Sequence, residues 1–369
     1  MSELASKGLL GRLKKAGSLT STQLTKSSLF KDKIEIPTSV PMVNVALSGK
    51  LDGGLTRGLT VLAGPSKHFK TAFGLLMAKA YMDKYPDSIV LFYDSEFGTP
   101  QNYFSSLKID TDRVLHVPVK NVEELKFDLV KQLDALAVED KVFIMIDSIG
   151  NLASKKEVED SMNEKSVADM TRAKQLKSLF RMVTPYLTLR DVPLVAVNHT
   201  YETQEMFSKQ VVSGGTGVMY SADNVWIIGR RQVKKDKDIQ GYDFIINVEK
   251  SRFVKEKSKI PISVTWDGGI KKYSGLLDVA LEAGFVVKPS MGWYSKVDME
   301  TGEISEKKVR QAETDQKAFW DGILEHKKFM DFVEKRYAIG SGLMDSIEEQ
   351  NTQPDAVIIL PPEAVEANE

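Results

Sequence analysis

A phosphate-binding loop placed between an apolar strand and an apolar helix is the feature that most constrains this chain. Residues 64–71 spell Gly-Pro-Ser-Lys-His-Phe-Lys-Thr, after an apolar run at 59–63 and before a run of helical periodicity at 72–81. The usual pattern is glycine, four residues, a second glycine, lysine, and then serine or threonine. Phe69 stands where the second glycine is expected. The order of strand, loop and helix predicts an α/β unit that binds a nucleoside triphosphate.

Each residue type in the loop suits one part of that chemistry. Lys70 is predicted to reach the outer two phosphates, and the Thr71 hydroxyl is predicted to be a ligand of Mg²⁺. Backbone N–H groups of the loop and of the helix N-terminus would surround the phosphates. The loop residues concerned are Gly64, Pro65, Ser66, Lys67, His68 and Phe69. Since a side chain at 69 hinders the close approach that glycine allows, a lysine-rich surface turn stays an alternative for the loop alone.

A buried strand that ends in a carboxylate is predicted at residues 142–146. Five apolar residues there run directly into Asp147. Continuous apolar runs of this length are typical of parallel strands that are covered on both faces. Ligands bind at the carboxyl edge of such sheets, so Asp147 is predicted to hold Mg²⁺, usually through water, opposite Thr71. The alternative is a strand-end aspartate that caps a turn.

A second apolar run, at 89–93, leads into Asp94 and Glu96. Glu96 is the candidate to orient or deprotonate an attacking water, a role that requires hydrogen-bond reach of the target. Asp94 is predicted to be a structural partner. Tyr103 is the candidate to stack on adenine, with a half-buried helix aromatic as the alternative.

Composition limits the remaining classes. The 369 residues are 42% apolar and 27% charged with a net charge of −1, which is ordinary for a globular chain. No global basic field exists, so nucleic-acid binding would have to come from local patches. The chain has no cysteine, which excludes disulfides and thiolate zinc sites and fits a cytosolic protein. Four scattered histidines argue against a dedicated transition-metal site, and no apolar run approaches the roughly 18 residues of a membrane span.

The pattern along the chain predicts an α/β core at residues 34–290. Candidate strands alternate with candidate helices, which implies a mostly parallel central sheet with right-handed crossovers. The strands are predicted at 59–63, 89–93, 114–118, 142–146, 194–197 and 225–228, and the helices at 72–84, 122–137 and 168–189. Runs at 243–248 and 260–265, followed by Asp267-Gly-Gly, predict a closing pair that resembles a hairpin.

Shorter segments flank this core. Residues 1–33 predict a short amphipathic helix and a tether, with packing on a neighbouring subunit and a frayed terminus as equal alternatives. Residues 291–336 form a predicted appendage, helical over 305–336, where apolar residues are interleaved with Lys and Glu. Residues 337–369 contain seven acidic residues and no Lys or Arg. This composition predicts an acidic, disordered tail.

Two long polar loops are predicted to leave the sheet near its ligand edge. Residues 154–166 follow the strand that ends at Asp147, and residues 201–217 follow Asn198 and His199. Loops of this length in compact domains are usually functional or disordered. A nucleic acid could run past them, with lysines on phosphates and apolar side chains at bases. The candidates are Lys155, Lys156, Lys165, Met206, Phe207 and Lys209.

Asn198 and His199 would lie between the nucleotide edge and the second loop. A polar side chain there could hydrogen-bond a γ-phosphate and move the loop with it. A satisfied structural histidine is the alternative.

The motifs together resemble the RecA-type recombinases, and among them the UvsX recombinases of large tailed phages, over roughly residues 34–290. Glu96 matches the residue that activates water, and His199 falls at the γ-phosphate sensor, where bacterial members have glutamine. The glycine-rich end of the family's second DNA-binding loop corresponds to residues 213–217, with Gly214 and Gly215 as DNA contacts. Lys250 and Arg252 lie where the family has basic residues that reach the γ-phosphate held by a neighbouring subunit; without the resemblance, an exposed basic strand face is favoured.

The resemblance implies a RecA-like P-loop ATPase core that uses ATP and Mg²⁺. It implies a homo-oligomeric helical filament on single-stranded DNA, which pairs with homologous duplex DNA and exchanges strands in recombination, repair and recombination-dependent replication. Mediator and single-strand-binding proteins are implied partners, no membrane is involved, and the place of action is the host cytoplasm of a phage. Two alternatives stay open, namely a hexameric helicase or other motor with the same core, and a non-enzymatic binding module suggested by Phe69.

Overall fold

A nine-stranded sheet forms the centre of the computed structural model, which describes residues 2–19, 21–27, 33–163, 171–203, 210–235 and 238–340. The strands are β1 Gly58–Ala63, β2 Ile89–Asp94, β3 Val114–Pro118, β4 Val142–Asp147, β5 Pro193–Asn198, β6 Thr200–Glu202, β7 Gln210–Val212, β8 Asn224–Lys235, β9 Asp238–Ser251, β10 Lys259–Thr265, β11 Gly269–Ile270, β12 Val286–Ser290, β13 Trp293–Lys296 and β14 Val309–Arg310. The helices are α1 Ser2–Ala16, α2 Pro41–Ser48, α3 Lys70–Lys84, α4 Gln101–Ser106, α5 Val122–Ala135, α6 Lys155–Met162, α7 Thr171–Leu189, α8 Thr216–Ser221, α9 Leu276–Glu282, α10 Lys317–Trp320 and α11 Lys327–Tyr337.

The strand order confirms the predicted, mostly parallel sheet. Across the sheet the order is β11-β10-β9-β8-β1-β5-β4-β2-β3. Neighbours from β8 to β3 run parallel, whereas β9, β10 and β11 extend the sheet as antiparallel strands. Since β1 lies between β8 and β5, the loop after β1 is placed at the middle of the carboxyl edge.

Helices on both faces of the sheet explain the continuous apolar runs. Along β4, Phe143 and Met145 belong to the core on the α3 side, while Ile144 and Ile146 belong to the core under α5 and α7. Successive side chains of a strand point to opposite faces, so a strand covered on both sides needs apolar residues at every position. All of β4, including Asp147, is buried.

The strands and helices predicted for the core are present with small shifts of their ends. Helix α5 ends at Ala135, and α7 is seen from Thr171, while residues 168–170 lie outside the described residues. The predicted closing pair is also confirmed, since β9 and β10 are antiparallel. Strands β8 and β9 are much longer than predicted and pair with each other along most of their length.

The expectation of two structureless loops was wrong in part. Residues Lys155–Met162 form α6, whose start is fixed by a capping box between Ser154 and Glu157. This Ser-x-x-Glu pattern is a helix-start signal that the sequence already carried. In the second loop, β6 and β7 pair as a short hairpin, and α8 follows the glycines. Residues 164–170 and 204–209 lie outside the described residues.

The predicted appendage is only partly helical. Strands β12, β13 and β14 form a small antiparallel sheet, in which β12 and β13 pair across the expected division at residue 290. Helices α10 and α11 follow and bury Phe319, Trp320 and Phe329. The helix predicted over 305–336 is absent at its start, where β14 pairs with β13, so the aromatic residues pack in a mixed α/β unit. The predicted acidic tail falls outside the described residues from 341 onward.

The amino-terminal helix predicted around residues 9–13 is confirmed as α1, and it exposes Leu9, Leu10 and Leu13. No helix in the described part of the chain has the length and apolar content needed to cross a bilayer.

Replacing Trp226 by phenylalanine should destabilise the protein. Trp226 is fully buried on β8, and its indole N–H donates to the carbonyl oxygen of Ala46, 3.2 Å away. The variant leaves that carbonyl without its donor and opens a small cavity, which together should cost about 2–3 kcal/mol of unfolding free energy. Urea denaturation followed by circular dichroism measures this loss. Trp266, which is 65% exposed, provides the matched control, because its replacement by phenylalanine should change stability by less than about 0.5 kcal/mol.

Candidate nucleotide site

The phosphate loop joins β1 to α3 through backbone conformations that are unusual for side chains. Gly64 has φ +154°, and a Cβ there would lie 2.8 Å from the carbonyl oxygen of Ile228, so glycine is required. Lys67 and Phe69 both have φ 61°, in the left-handed region. The carbonyl oxygen of Lys67 accepts a hydrogen bond from Arg230 at 3.3 Å, and the ring nitrogen Nδ1 of His68 lies 2.9 Å from the carbonyl oxygen of Ser66. Hydrogen bonds from Arg230 on β8 and from His68 within the loop therefore stabilise this loop conformation.

Aromatic packing explains how Phe69 replaces the expected glycine. Its ring stacks on Phe244 with centroids 5.1 Å apart, meets Phe73 edge-on at 5.7 Å, and lies 6.2 Å from Tyr103. A left-handed residue with a side chain costs about 1–2 kcal/mol, whereas each aromatic pair contributes about 0.5–1.5 kcal/mol beyond burial. The side chain points away from the loop interior into this cluster, so the loop keeps the fold expected of a phosphate-binding loop.

Lys70 is directed into the loop that precedes it. It is 6% exposed, and its Nζ donates to the carbonyl oxygen of Pro65 at 2.8 Å. Burial lowers the pKa of Lys70, while the negative charges of Glu96 and Asp147 oppose that shift. A buried ammonium held by a single carbonyl is suited to bind an anion that enters the loop.

Thr71 and Asp147 meet as predicted for a magnesium site. The Thr71 hydroxyl donates to Asp147 Oδ2 at 2.7 Å, and Thr99 Oγ1 lies 3.4 Å from the same oxygen. Asp147 is 1% exposed, and burial raises its pKa to about 6. Its Oδ1 is buried and has no hydrogen-bond partner among the residues that the structure describes. An orphaned carboxylate oxygen beside a threonine hydroxyl fits a divalent cation.

No group of three or more His, Cys, Asp or Glu side chains in the described ranges could hold a metal ion. A cation between Thr71 and Asp147 would therefore take its other ligands from phosphates and water, which is the usual habit of Mg²⁺.

Glu96 follows β2 and is bonded on one oxygen by two neighbours. Its Oε1 accepts the Ser148 hydroxyl at 2.7 Å and lies 3.0 Å from Nε2 of His199. The bond to His199 is the main reason that the pKa of Glu96 is lowered; burial opposes this shift, and the bond to Ser148 supports it. Ser148 was not predicted, although it directly follows Asp147.

Asp94, expected as a structural partner, accepts the backbone N–H groups of Glu96 and Phe97 at 3.0 and 2.8 Å.

Asn198 and His199 connect the nucleotide edge to the second loop. Asn198 is fully buried, and its side-chain amide donates to the carbonyl oxygen of Ser213 at 2.8 Å. The backbone N–H of Ser213 donates in turn to the carbonyl oxygen of His199 at 2.9 Å. A Cβ on Gly150 would lie 2.3 Å from the His199 ring, so the start of the first loop also touches this histidine. The predicted position of Asn198 and His199 between the sheet edge and the second loop is the one observed.

Arg172 on α7 joins the two loop bases and was missed. Its guanidinium donates to the carbonyl oxygens of Leu152, Ile149 and Gly150 at 2.6, 3.0 and 2.8 Å, and it lies 3.5 Å from Ser213 Oγ. Nothing in the local sequence distinguishes this arginine from the other basic residues of an amphipathic helix.

A cleft of about 640 Å³ opens beside the loop and is partly walled by Phe69 and Tyr103. Tyr103 thus lies on the wall of this cleft, and its ring also packs on Phe69. Trp266, in the turn after β10, lines the same cleft and was missed. Its signal was an exposed aromatic beside Asp267-Gly-Gly, a turn that the sequence did predict.

Lys250 and Arg252 are not brought to this site. Lys250 pairs with Val225, which is in register with Val61 on β1, and the backbone N–H of Arg252 donates to Asp223, whose own N–H donates to Leu59. The phosphate loop starts at Gly64, which is about 10 Å beyond Val61 and about 16 Å beyond Leu59 along the strand direction, at roughly 3.3 Å per residue. The two basic residues thus occupy the opposite edge of the sheet from the loop of their own chain.

The candidate DNA contacts are only partly described. Lys155 and Lys156, on the first turn of α6, form ion pairs with Glu159 and Asp160 on the same helix. Gly214 and Gly215 have φ 92° and 78° directly before α8, which favours glycine at both positions. Lys165, Met206, Phe207 and Lys209 lie outside the described residues.

Comparison with known proteins agrees with this geometry. The model of the RecA N-terminal domain matches residues 14–271, and the model described as bacteriophage T4 recombination and repair protein, C-terminal domain, matches residues 273–333. The chain belongs to the RecA family of recombinases. It is 54% identical to the recombination and repair protein of Enterobacteria phage T4, over 95% of this chain and 90% of that relative.

Bacterial relatives of the RecA family are more distant. The chain is 26% identical to Protein RecA of Pseudarthrobacter chlorophenolicus, over 74% of this chain and 78% of the relative. It is 29% identical to Protein RecA of Streptomyces rimosus, over 75% and 72%. The likeness to the phage relative places this RecA-family chain among the UvsX recombination and repair proteins.

Asp147→Asn should stabilise the protein in the absence of divalent metal. The folded-state pKa of about 6 lies above the ordinary 3.8, so ionising Asp147 costs stability as pH rises through that interval, by as much as about 3 kcal/mol above it. Urea denaturation in EDTA at pH 8 should show a gain of about 2 kcal/mol for the variant, and little gain at pH 4.

Magnesium provides the complementary readout for the same pair of proteins. Adding Mg²⁺ should raise the stability of the protein with Asp147 more than that of the Asn variant. Equal stabilisation of both by Mg²⁺ would contradict the assignment of Asp147 to the cation.

Proposed function

We propose that this RecA-family recombinase is a DNA-dependent ATPase that forms a helical filament on single-stranded DNA and exchanges strands with homologous duplex DNA. The observation that carries the proposal is the placement of Lys250 and Arg252 at the sheet edge opposite the phosphate loop. A site that contains both the loop and these cations needs two copies of the chain. Contact between two different edges is head-to-tail, and it repeats into a helix when the rotation does not close.

The groups of one chain would bind ATP and direct water. The base would lie in the cleft beside Tyr103 and Trp266, with the phosphates in the loop and against Lys70. Thr71 and Asp147 would hold Mg²⁺, which neutralises charge on the phosphates when it is bound. Because the pKa of Glu96 is lowered, its carboxylate is ionised at neutral pH and can accept a proton from water or orient it. Both hydrogen bonds to Glu96 go to Oε1, so Oε2 is the oxygen that would face the water.

The neighbouring chain would complete the site with Lys250 and Arg252. Two cations beside a transferring phosphoryl group stabilise its developing charge, as an arginine finger does. This arrangement makes turnover depend on assembly, since neither cation can reach the loop of its own chain.

DNA would bind along the two loops at the carboxyl edge. Gly214 and Gly215 allow close backbone approach to phosphates, and Lys155 and Lys156 would exchange their ion pairs on α6 for phosphate contacts. His199 is bonded to Glu96 and, through its backbone, to Ser213. A γ-phosphate that engages His199 would therefore move the end of the second loop.

The setting follows from the relationship to a phage recombination and repair protein. The proposed place of action is the cytoplasm of the host cell, on DNA and without a membrane. Single-strand-binding proteins and a recombination mediator are the expected partners, because they occupy the same single-stranded DNA. Recombination-dependent replication would use the same filament.

Substitutions in the loop and at the far edge should have distinct effects on ATP turnover. Lys70→Ala should lower the rate with single-stranded DNA by at least about 100-fold, and Arg252→Ala or Lys250→Ala by about 100-fold or more, as losses of phosphate-stabilising cations do. A coupled assay of ADP and phosphate release measures both.

Mixing two inactive variants tests the in-trans assignment. Lys70→Ala subunits carry intact far-edge cations, and Arg252→Ala subunits carry intact loops, so mixed filaments should regain turnover. Absence of any recovery at all mixing ratios would refute the assignment.

Electron microscopy distinguishes the recombinase from a ring motor with the same core. With single-stranded DNA and a non-hydrolysable ATP analogue, the protein should form a continuous helical coat, which should be lost without nucleotide because the loop and cations no longer share a phosphate. Closed six-membered rings, or unwinding of duplex DNA without homology, would favour a hexameric helicase. A failure to hydrolyse ATP on saturating single-stranded DNA would instead favour a binding module.

A further inference from the structure

Asp223 contacts Arg252 at the far edge of the sheet and takes no part in the sequence motifs. Its Oδ1 lies 2.5 Å from Nε of Arg252, and its Oδ2 accepts the backbone N–H of Leu59 at 3.1 Å. Two backbone hydrogen bonds reinforce the contact, from Asp223 to Leu59 at 2.8 Å and from Arg252 to Asp223 at 3.1 Å. The carboxylate is therefore fixed on β1 and holds the arginine from there.

The glycine at the start of β1, Gly58, leaves room for the Asp223 carboxylate. Gly58 has φ +107°, and a Cβ at that position would lie 1.9 Å from Asp223 Oδ2. Any side chain at 58 would expel the carboxylate from its place against Leu59. The side chain of Asp223 is 13% exposed, whereas that of Arg252 is 59% exposed. A partly buried acid thus contacts an arginine that is itself largely exposed.

Like charges surround the arginine at this edge. The pKa of Lys250 is lowered, first by burial and then by Arg252. The pKa of Lys33 is also lowered by burial, with Asp223 opposing the shift and Arg57 and Arg252 adding to it. Cations repel one another in such a cluster, and the Asp223 carboxylate is the acid that pairs with Arg252 there.

Lys250, the second cation, is bonded to the segment of the chain that leads to Asp223. Lys250 Nζ donates to the carbonyl oxygens of Met219 and Tyr220 at 2.7 and 3.3 Å, at the end of α8. Asp223 follows two residues after α8 ends. Residues 216–223 therefore fix both cations, and this connector starts directly after Gly215.

We propose that Asp223 is a positioning residue that orients Arg252 toward the triphosphate bound by the adjoining subunit. The proposal rests on the in-trans role of Arg252 proposed above. An arginine that is preorganised by a fixed carboxylate stabilises the transferring phosphoryl group without reorganisation at the moment of reaction. If Asp223 served only to secure the start of β1, its removal would change stability and leave the neighbour's site unaffected.

Asp223→Asn tests the proposal because it removes the charge and keeps an acceptor for the Leu59 N–H. We expect kcat for ATP with single-stranded DNA to fall about tenfold, as the loss of a group that orients a catalytic ligand typically causes. KM for ATP should stay within about twofold, because the loop that binds ATP is intact. The matched control is Asp191→Asn, which removes an acid paired with Arg57 at 3.4 Å. Asp191 has φ 57°, which asparagine also tolerates, and turnover of this variant should be unchanged.

Mixed filaments show whether Asp223→Asn lowers ATP turnover at the site of the neighbouring subunit. Lys70→Ala subunits carry the normal pair of Asp223 and Arg252, so adding them should restore turnover per Asp223→Asn subunit. Adding Asp223→Asn to Arg252→Ala should produce no further loss, because the acid acts only through the arginine. Asp223→Glu, which keeps the charge but displaces it, should show a smaller loss with the same recovery.

Two results overturn the proposal and are distinguishable from failure of the proposed function. If Arg252→Ala recovers with Lys70→Ala subunits but Asp223→Asn and Asp223→Glu do not, Asp223 acts within its own chain. If Asp223→Asn keeps full turnover while Arg252→Ala loses it, the carboxylate is not needed for orientation. If Arg252→Ala subunits do not regain turnover with Lys70→Ala subunits, the proposed in-trans role of Arg252 is wrong, and the proposal for Asp223 fails with it.

Discussion

The hydrogen bond between Thr71 and the buried Asp147 carboxylate is the contact on which the nucleotide site depends. It joins the first turn of α3 to the end of β4, and it leaves one carboxylate oxygen without a protein partner. Burial makes that charge costly, which is why its pKa is raised to about 6, and a divalent cation would relieve the cost. The charges of Lys70, at the start of α3, and of Glu96, after the end of β2, also act on this carboxylate. Parallel strands deliver all of these groups to one edge because their carboxyl ends coincide there.

The sequence predicted this edge well, since each group follows directly from a buried strand. The run before Asp147 had to be apolar at every position because helices cover both faces, and that made its end easy to locate. Ser148 and Arg172 were not predictable in this way. Arg172 donates hydrogen bonds to the carbonyl oxygens of Ile149, Gly150 and Leu152, which precede it in the chain. Because every residue has a backbone carbonyl, the amino-acid sequence does not indicate which carbonyls accept these bonds. Helix α6 was missed for another reason: a highly charged segment was taken as a loop despite its capping box at Ser154.

Packing around Phe69 compensates for the absence of the usual glycine at this position of the phosphate loop. The left-handed backbone at this position is the reason that glycine is usual, and the strain of a side chain there is local. The ring is held by Phe73, one helical turn away on α3, and by Phe244 from β9, which is distant in sequence. The compensation was therefore invisible until the sheet brought β9 near the loop. The same long β8–β9 pairing also carries Lys250 and Arg252 away from that loop, and under the proposed function these two cations act on the site of another subunit.

The second loop is connected by separate paths to Glu96 and to the two cations Lys250 and Arg252. Its end at Ser213 is bonded to Asn198 and His199, and His199 meets Glu96 of the same chain. Its continuation through α8 ends at the carbonyls that hold Lys250 and at Asp223, which holds Arg252. A helix of this length spans about 9 Å at roughly 1.5 Å per residue, so a small rotation at the glycines would move both cations. A strand of DNA lying on the loop would then act on the water-directing group of one subunit and on the charge-stabilising group offered to the next. In the proposed filament, both paths therefore start from the second loop of each subunit.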